Sequence, residues 1–442
     1  MKTQKTIEWT EMRTALVAIL MLLLPTPAGA YDFEVDGIYY DLADGYAVVT
    51  NSGQTGCYSG DVVIPESVTS DGSTYPVSVI GDYAFKDCVG LTHVTIPNTI
   101  TAIGYCAFWD CMGLTTVTIP ESITSIGDYA FANCYALTEL VYNAVSCDNF
   151  NWSTPFIYSN IATIMIGDKV KIIPDYFACE LESLTAVYIG KSVTSVGVAA
   201  FEECVGLTSV HIKDLAAWCS ISYYAWNSNP LYYARRLFLN GEEIKDLVVP
   251  ESVTSISSFA FVSCSELTSV TIPNTVTSIG DYAFEDCPRL VKATIGNGVT
   301  SMGTKIFNYC DQLDNVTCIA ADPPVFSANG LFYDMGYYAD ATLHVLSESV
   351  TSYQSAQYWE DFSLIQGDAV FYLLGDVNGD GEINISDVNK VIDIIINGGS
   401  SGGHTRIPNP YGEGWAIAGD VNGDSEINIA DINSIINYIL GN

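Results

Sequence analysis

Three stretches of the chain, Thr95–Val117 (TIPNTITAIGYCAFWDCMGLTTV), Thr118–Leu140 (TIPESITSIGDYAFANCYALTEL) and Thr271–Ala293 (TIPNTVTSIGDYAFEDCPRLVKA), carry their apolar residues at the same places and define a 23-residue period. Such self-similarity predicts a stacked-repeat fold. Within a unit, Val117 and Ile119 alternate with polar neighbours, the pattern of a short strand with one apolar face, and Pro120 ends it for want of a donor. A second apolar pair, Ile123 and Ile126, precedes Gly127, and Asp128-Tyr129-Ala130-Phe131 then suits a single helical or 3₁₀ turn. No unit can close a core alone, so the units must stack their Val, Ile, Phe, Leu and Cys into columns.

The strand anchors fall at Val62, Val94, Val117, Leu140, Ile164, Val187, Val210, Leu247, Val270, Ala293 and Val316, separated by 32, 23, 23, 24, 23, 23, 37, 23, 23 and 23 residues. The two long intervals read as one repeat plus insertions of 9 and 14 residues, expected to bulge as surface loops. The string I-P-x-[ST]-[VI]-T-x-I-G-x-x-A-F-x-x-C-x-x-L, at 96–114, 119–137 and 272–290, resembles the BspA-like bacterial leucine-rich repeat family. That resemblance implies an α/β leucine-rich-repeat solenoid of short parallel strands, about eleven coils of 23 residues, with terminal caps. On this reading 31–61 is an N-terminal cap, 62–320 the repeats and 321–366 the closing cap. The sequence departs from the motif at 141–163 and 211–246.

A second signal lies at 367–442. GDVNGDGEINISD (375–387) and GDVNGDSEINIAD (419–431) are copies offset by 44 residues. Alternating oxygen ligands wrap a hard cation in six to eight oxygens, the chemistry of calcium loops. The first loop offers Asp376, Asn378, Asp380, the Glu382 carbonyl, Asn384 and Asp387, and the second Asp420, Asn422, Asp424, the Glu426 carbonyl, Asn428 and Asp431. Apolar residues follow each at i, i+3, i+4, i+7: Val388, Val391, Ile392, Ile395, then Ile432, Ile435, Ile436, Ile439. The duplicated unit resembles a type I dockerin module. The resemblance implies a small all-α domain with two Ca²⁺ and a cohesin-like partner on a scaffold or cell-surface protein. It also implies contact residues Ile385, Ser386, Ile429 and Ala430. Ser425 replaces the Gly expected at the sixth loop position.

Composition narrows the function. The 442 residues hold 51 Asp+Glu against 16 Lys+Arg, a formal charge of −35 that repels polyanions and argues against nucleic-acid binding. Lys2, Lys5 and Arg13, the run Ala15–Leu24, Pro25, Pro27 and Ala28-Gly29-Ala30 read as a secretory signal over 1–30, with Met12 an equally good start. No later segment is long and apolar enough for a membrane helix, so a secreted or cell-surface protein is expected. Seven of the 13 cysteines (Cys88, Cys111, Cys134, Cys204, Cys264, Cys287, Cys310) share one repeat position and predict a buried column rather than bonded pairs. Whether any of Cys57, Cys106, Cys147, Cys179, Cys219 and Cys318 is bridged stays open.

Catalytic signals are sparse. Gly398-Gly399-Ser400-Ser401-Gly402 fits G-x-S-x-G but lies in a Gly/Ser run, and His93, His211, His344 and His404 show no metal spacing. No enzyme is expected. The outward strand residues are the candidate ligand surface, and its variable centre is Glu139, Val141, Tyr188 and His211. The family resemblance implies adhesion to a protein or glycan. A non-catalytic part in a polysaccharide-degrading assembly, and a calcium-capped structural protein, are the alternatives.

Overall fold

The computed structural model describes residues 31–327 and 341–369, except residue 55, together with 388, 392, 406–408, 415–417, 433 and 436. It forms two units, one of residues up to 170 plus 176–184, the other of 171–175 and 185 onward. The fold is a mostly-β repeat solenoid of about 12 turns with few helices. The expected α/β balance is thereby shifted: helical residues are confined to short segments such as Leu215–Cys219, Leu231–Ala234 and Val350–Ser355.

In the first unit the strands Thr116–Ile119, Glu139–Tyr142 and Thr163–Ile166 pair in parallel, with Val117 beside Leu140 and Leu140 beside Ile164. Their anchors are fully buried, as alternation requires. The short strands Ala102–Ile103 and Ser125–Ile126 form a second parallel ladder with Ser73–Ile80. Val62 is an exception among the anchors, only half-buried. Its strand, Ser59–Val63, pairs with Gly90–Thr95, whereas the meander Phe33–Val35, Ile38–Ala43 and Tyr46–Thr50 joins Ser73–Ile80 instead.

The turn after each short strand is not the expected helical turn. Tyr83 and Asp87 sit at φ 57° and 59°, in the left-handed region, and the pattern recurs at Cys106 and Asp110 and at Tyr129 and Asn133. Alternate amides close local turns (Ala84 N to Gly81 O, 3.3 Å; Lys86 N to Tyr83 O, 3.1 Å), while Tyr83, Phe85 and Asp87 donate to Tyr105, Ala107 and Trp109 of the next coil at 3.0, 2.7 and 2.8 Å. A helix would direct every amide into its own coil. The zigzag satisfies buried donors and joins neighbouring coils, which offsets the ~1–2 kcal/mol of each left-handed residue.

Inside, Phe85, Phe108 and Phe131 stack at 4.7 and 4.8 Å, tilted by 6° and 5°. The cysteine column is buried. Cys111 donates its thiol to the Phe85 carbonyl at 3.0 Å and Cys134 to that of Phe108 at 3.2 Å. In the second unit Cys287 and Cys310 do the same to Phe261 and Phe284 at 3.3 and 3.1 Å.

Neither long interval is an irregular loop, although the hairpin tip of the first, residues 69–76, lies at the surface as expected. The first forms the antiparallel hairpin Ser67–Ser70 with Ser73–Ile80, turned at Asp71-Gly72, with Val68 and Val77 buried. The second holds the helix Leu215–Cys219, whose Trp218 is buried and donates to the Ala260 carbonyl at 2.9 Å. It then contributes a further parallel strand, Leu237–Leu239, beside Ser209–Ile212, and a hairpin partner, Glu242–Glu243. Leu215, Trp218, Leu231 and Leu237 have a core to enter and fold inward, while Tyr224 and Trp226 stay exposed. A fresh parallel sheet begins at Asp246–Val248 and runs through Ser269–Ile272, Lys292–Ile295 and Asn315–Cys318 to Thr342–Val345 and Leu364–Gln366. Buried Tyr353 and Trp359 pack at that end, Trp359 donating to the Pro324 carbonyl at 2.9 Å.

Candidate functional site

The strand face shows every second side chain of each long strand to solvent. Glu139 and Val141 lie in the first unit, between Thr116 and Thr118 on one side and Thr163 and Met165 on the other. Tyr188 and His211 lie in the second unit and are brought directly together. In the first unit the exposed Asp61 carboxylate accepts from Thr92 Oγ1 at 2.7 Å and pairs with His93 Nδ1 at 2.9 Å, and these bonds hold its pKa below the ordinary value.

The second unit holds the most developed cluster. Parallel register sets Tyr188 beside His211 and His211 beside Phe238. The Tyr188 and His211 rings stack at 4.4 Å and 11°, and those of His211 and Phe238 at 4.8 Å and 22°. Rings spaced like the strands and parallel to one another stand on edge from the sheet. The faces within the stack cover each other, and edges point outward. Tyr188 remains 42% exposed. His211 Nε2 lies 3.1 Å from Ser209 Oγ, and partial burial holds the imidazole below its usual pKa.

Arg236 closes one end. Its guanidinium lies 5.1 Å from the Phe238 ring centroid and grips Glu243 through two bonds, Nε to Oε1 at 2.6 Å and Nη2 to Oε2 at 3.0 Å. This pairing holds the Glu243 carboxyl below its ordinary pKa. The result is a ridge of three rings over three strands, amphipathic along its outer edge and charged at one end.

Phe238 and Arg236 were not among the expected contact residues. They lie in the 37-residue interval, where no motif copy marks a strand. A local signal does exist: Leu237-Phe238-Leu239 followed by Asn240-Gly241, an alternating strand before the strongest short hairpin turn. Asn240 and Gly241 adopt φ 52° and 91° as that turn demands.

The twelve expected calcium ligands and Ile385, Ser386, Ile429 and Ala430 lie outside the described residues. Val388 and Ile392 after the first loop, and Asn433 and Ile436 after the second, are helical. Between the copies, Arg406–Pro408 pairs antiparallel with Trp415–Ile417, so this region is not purely helical. Among the described residues no three His, Cys, Asp or Glu side chains gather as a metal site, and no helix is long and apolar enough to cross a membrane. Among the described residues no two cysteines are joined in a disulfide.

No curated protein matches the sequence. Among solved structures, a leucine-rich repeat protein from Bacteroides ovatus is 23% identical, covering 76% of this chain and 99% of its own, with a TM-score of 0.34. A leucine rich cell surface protein from Faecalibacterium prausnitzii is 22% identical, over 78% and 96%, with a TM-score of 0.32. A leucine-rich repeat protein from Bacteroides capillosus is 32% identical, over 32% and 99%, with a TM-score of 0.26. The family model described as the BspA type leucine rich repeat region matches in 6 copies over 57–177, 150–231 and 233–322, more than half of the chain. With its 23-residue coils and columns of Phe and Cys, the chain belongs to the BspA-type leucine-rich repeat family.

Proposed function

We propose that this is an exported, non-enzymatic binding protein that holds a protein ligand against the ridge of Tyr188, His211 and Phe238. The ridge is the observation that carries the reading. It combines Tyr, aromatic carbon and Arg, the residue types that dominate protein contacts, on a rigid ribbon that loses little entropy on binding. Both faces of His211 are covered by Tyr188 and Phe238, so the centre of the ridge cannot stack a sugar flat, which favours a protein over a glycan. The test is surface plasmon resonance of the full chain over immobilised matrix proteins, beside a glycan panel, against Tyr188→Ala/His211→Ala/Phe238→Ala. A ligand protein bound by the native chain and lost by at least about tenfold in the variant, with melting retained, is the expected result. Equal binding by the variant, or glycan binding alone, removes the assignment.

In the same reading residues 367–442 bind two Ca²⁺ and dock a cohesin-like partner. The two complete oxygen-donor sets, and helical residues after each, support this. Asp376, Asp380 and Asp387, and Asp420, Asp424 and Asp431, would supply the carboxylates to the two ions. Membership of a polysaccharide-degrading assembly rests on the dockerin likeness alone. Calorimetric calcium titration of the full chain, with and without Asp376→Ala plus Asp420→Ala, separates the options. Two sites lost in the variant uphold the module, no binding sinks it, and melting of the repeats on chelation points to a calcium cap.

A further inference from the structure

Cys57 and Cys88 stand apart from the other thiols. Residues 56–58 run against the turn 86–88: Gly56 N donates to the Lys86 carbonyl at 2.9 Å, and Tyr58 N to Cys88 Sγ at 3.4 Å. The approach needs Gly56, which sits at φ 73° and whose added Cβ would lie 2.9 Å from the Asp87 carbonyl oxygen. Tyr58, buried and 4.5 Å from the Phe85 ring, fixes the segment on its far side. Cys88 is the first member of the buried column, where Cys111 and Cys134 spend their protons on phenylalanine carbonyls. Cys88 Sγ makes only a long bond to the Lys86 carbonyl, at 3.8 Å, and receives the amide of Tyr58, the residue next to Cys57, at 3.4 Å. Cys57 is half-buried, open on one side to solvent.

We propose that Cys57 and Cys88 form a reactive dithiol that closes to a disulfide by exchange with a low-molecular-weight disulfide, linking the start of the chain's fold to its first coils. The Cys57 thiolate attacks one sulfur of RS–SR, forming Cys57–S–S–R and expelling RS⁻. Cys88 then gives up its proton and attacks the Cys57 sulfur, expelling the second RS⁻. Two protein thiols are oxidised to one disulfide and RS–SR is reduced to two RSH, which carry the two protons. Interaction with the Cys88 thiol holds the Cys57 pKa below its usual value, while Cys57 and burial push that of Cys88 up. An attacking thiolate open to solvent with a protected resolving thiol behind it is the order the two steps require.

Cys147 is an internal control, also half-buried, with its thiol pushed up to about 12 by burial. The experiment exposes the full folded chain to oxidised glutathione at neutral pH and follows each cysteine by differential alkylation and peptide mass spectrometry. Cys57 is expected to react at least about tenfold faster than Cys147 and to resolve to a Cys57–Cys88 linkage. Cys88→Ser should arrest Cys57 as the glutathione adduct, and Cys57→Ser, at a half-exposed position that leaves the core intact, should leave Cys88 unmodified. Reaction of Cys57 no faster than Cys147, or a stable adduct in the native chain, overturns the proposal.

Discussion

Because the stacked core rings meet only those of the adjoining coils, replacing them should cost energy that couples between adjacent coils and no further. Phe108 is fully buried and stacked on Phe85 at 4.7 Å and on Phe131 at 4.8 Å. Phe108→Ala removes a whole buried ring from a site held on both sides, so the loss should be about 3–5 kcal/mol. Leucine replacements keep apolar bulk and remove only the stacking, which permits a cleaner cycle. Phe85→Leu with Phe108→Leu should show a coupling of about 0.5–1.5 kcal/mol. Phe85 and Phe156 have no ring neighbour in common, since Phe85 meets Phe108 and Phe156 meets Phe131 at 5.6 Å. Their coupling should be zero within about 0.5 kcal/mol. Urea unfolding followed by circular dichroism gives the totals, and native-state hydrogen exchange assigns them to coils. A Phe85–Phe156 coupling as large as that of Phe85–Phe108, or a Phe108→Ala loss under about 1 kcal/mol, would refute the nearest-neighbour picture.

Two glycines should fail for different reasons. Gly37 sits at φ 80° in open space, whereas a Cβ at Gly104 would lie 2.5 Å from the Asp82 carboxylate that accepts the Tyr105 amide. Asparagine tolerates the left-handed region, so Gly37→Asn should melt higher than Gly37→Ala while Gly104→Asn melts lower than Gly104→Ala; the opposite order at either site contradicts the assignment. For His211, burial sets the folded pKa below that of the unfolded chain. Its stabilising contribution is therefore complete above the ordinary histidine value of about 6.5 and is lost as pH falls towards the folded value. The melting advantage of the native chain over His211→Asn should shrink between about pH 7.5 and 5, and an unchanged gap would show that the imidazole does not titrate as placed. Arg236→Lys keeps the charge but not the fork on Glu243, and should loosen the ridge's end, read as faster exchange of the Phe238 amide.

The repeat follows from the local pattern of residues alone. A 23-residue period with Val-x-Ile alternation admits one economical burial scheme, and the anchors from Val117 to Val316 are buried accordingly. The cysteine column was legible for the same reason: seven thiols at one repeat position must share one environment. What the period could not convey is anything that breaks it. Leu237–Leu239 adds a strand that no motif copy announces, and only pairing with Ser209–Ile212 shows that Phe238 completes a stack begun by Tyr188 and His211. The turn over Asp128–Phe131 has a composition that suits a helix. Tertiary structure chose a turn with left-handed residues four apart, such as Tyr129 and Asn133, because alternate amides must also bond the neighbouring coil. The bond from the Tyr58 amide to the Cys88 sulfur, which brings Cys57 to that thiol, likewise joins residues 30 apart in the chain, and no local spacing encodes it. Periodicity is a local, repeated property and survives in one dimension; register between coils, and the chemistry it creates, exists only after they stack.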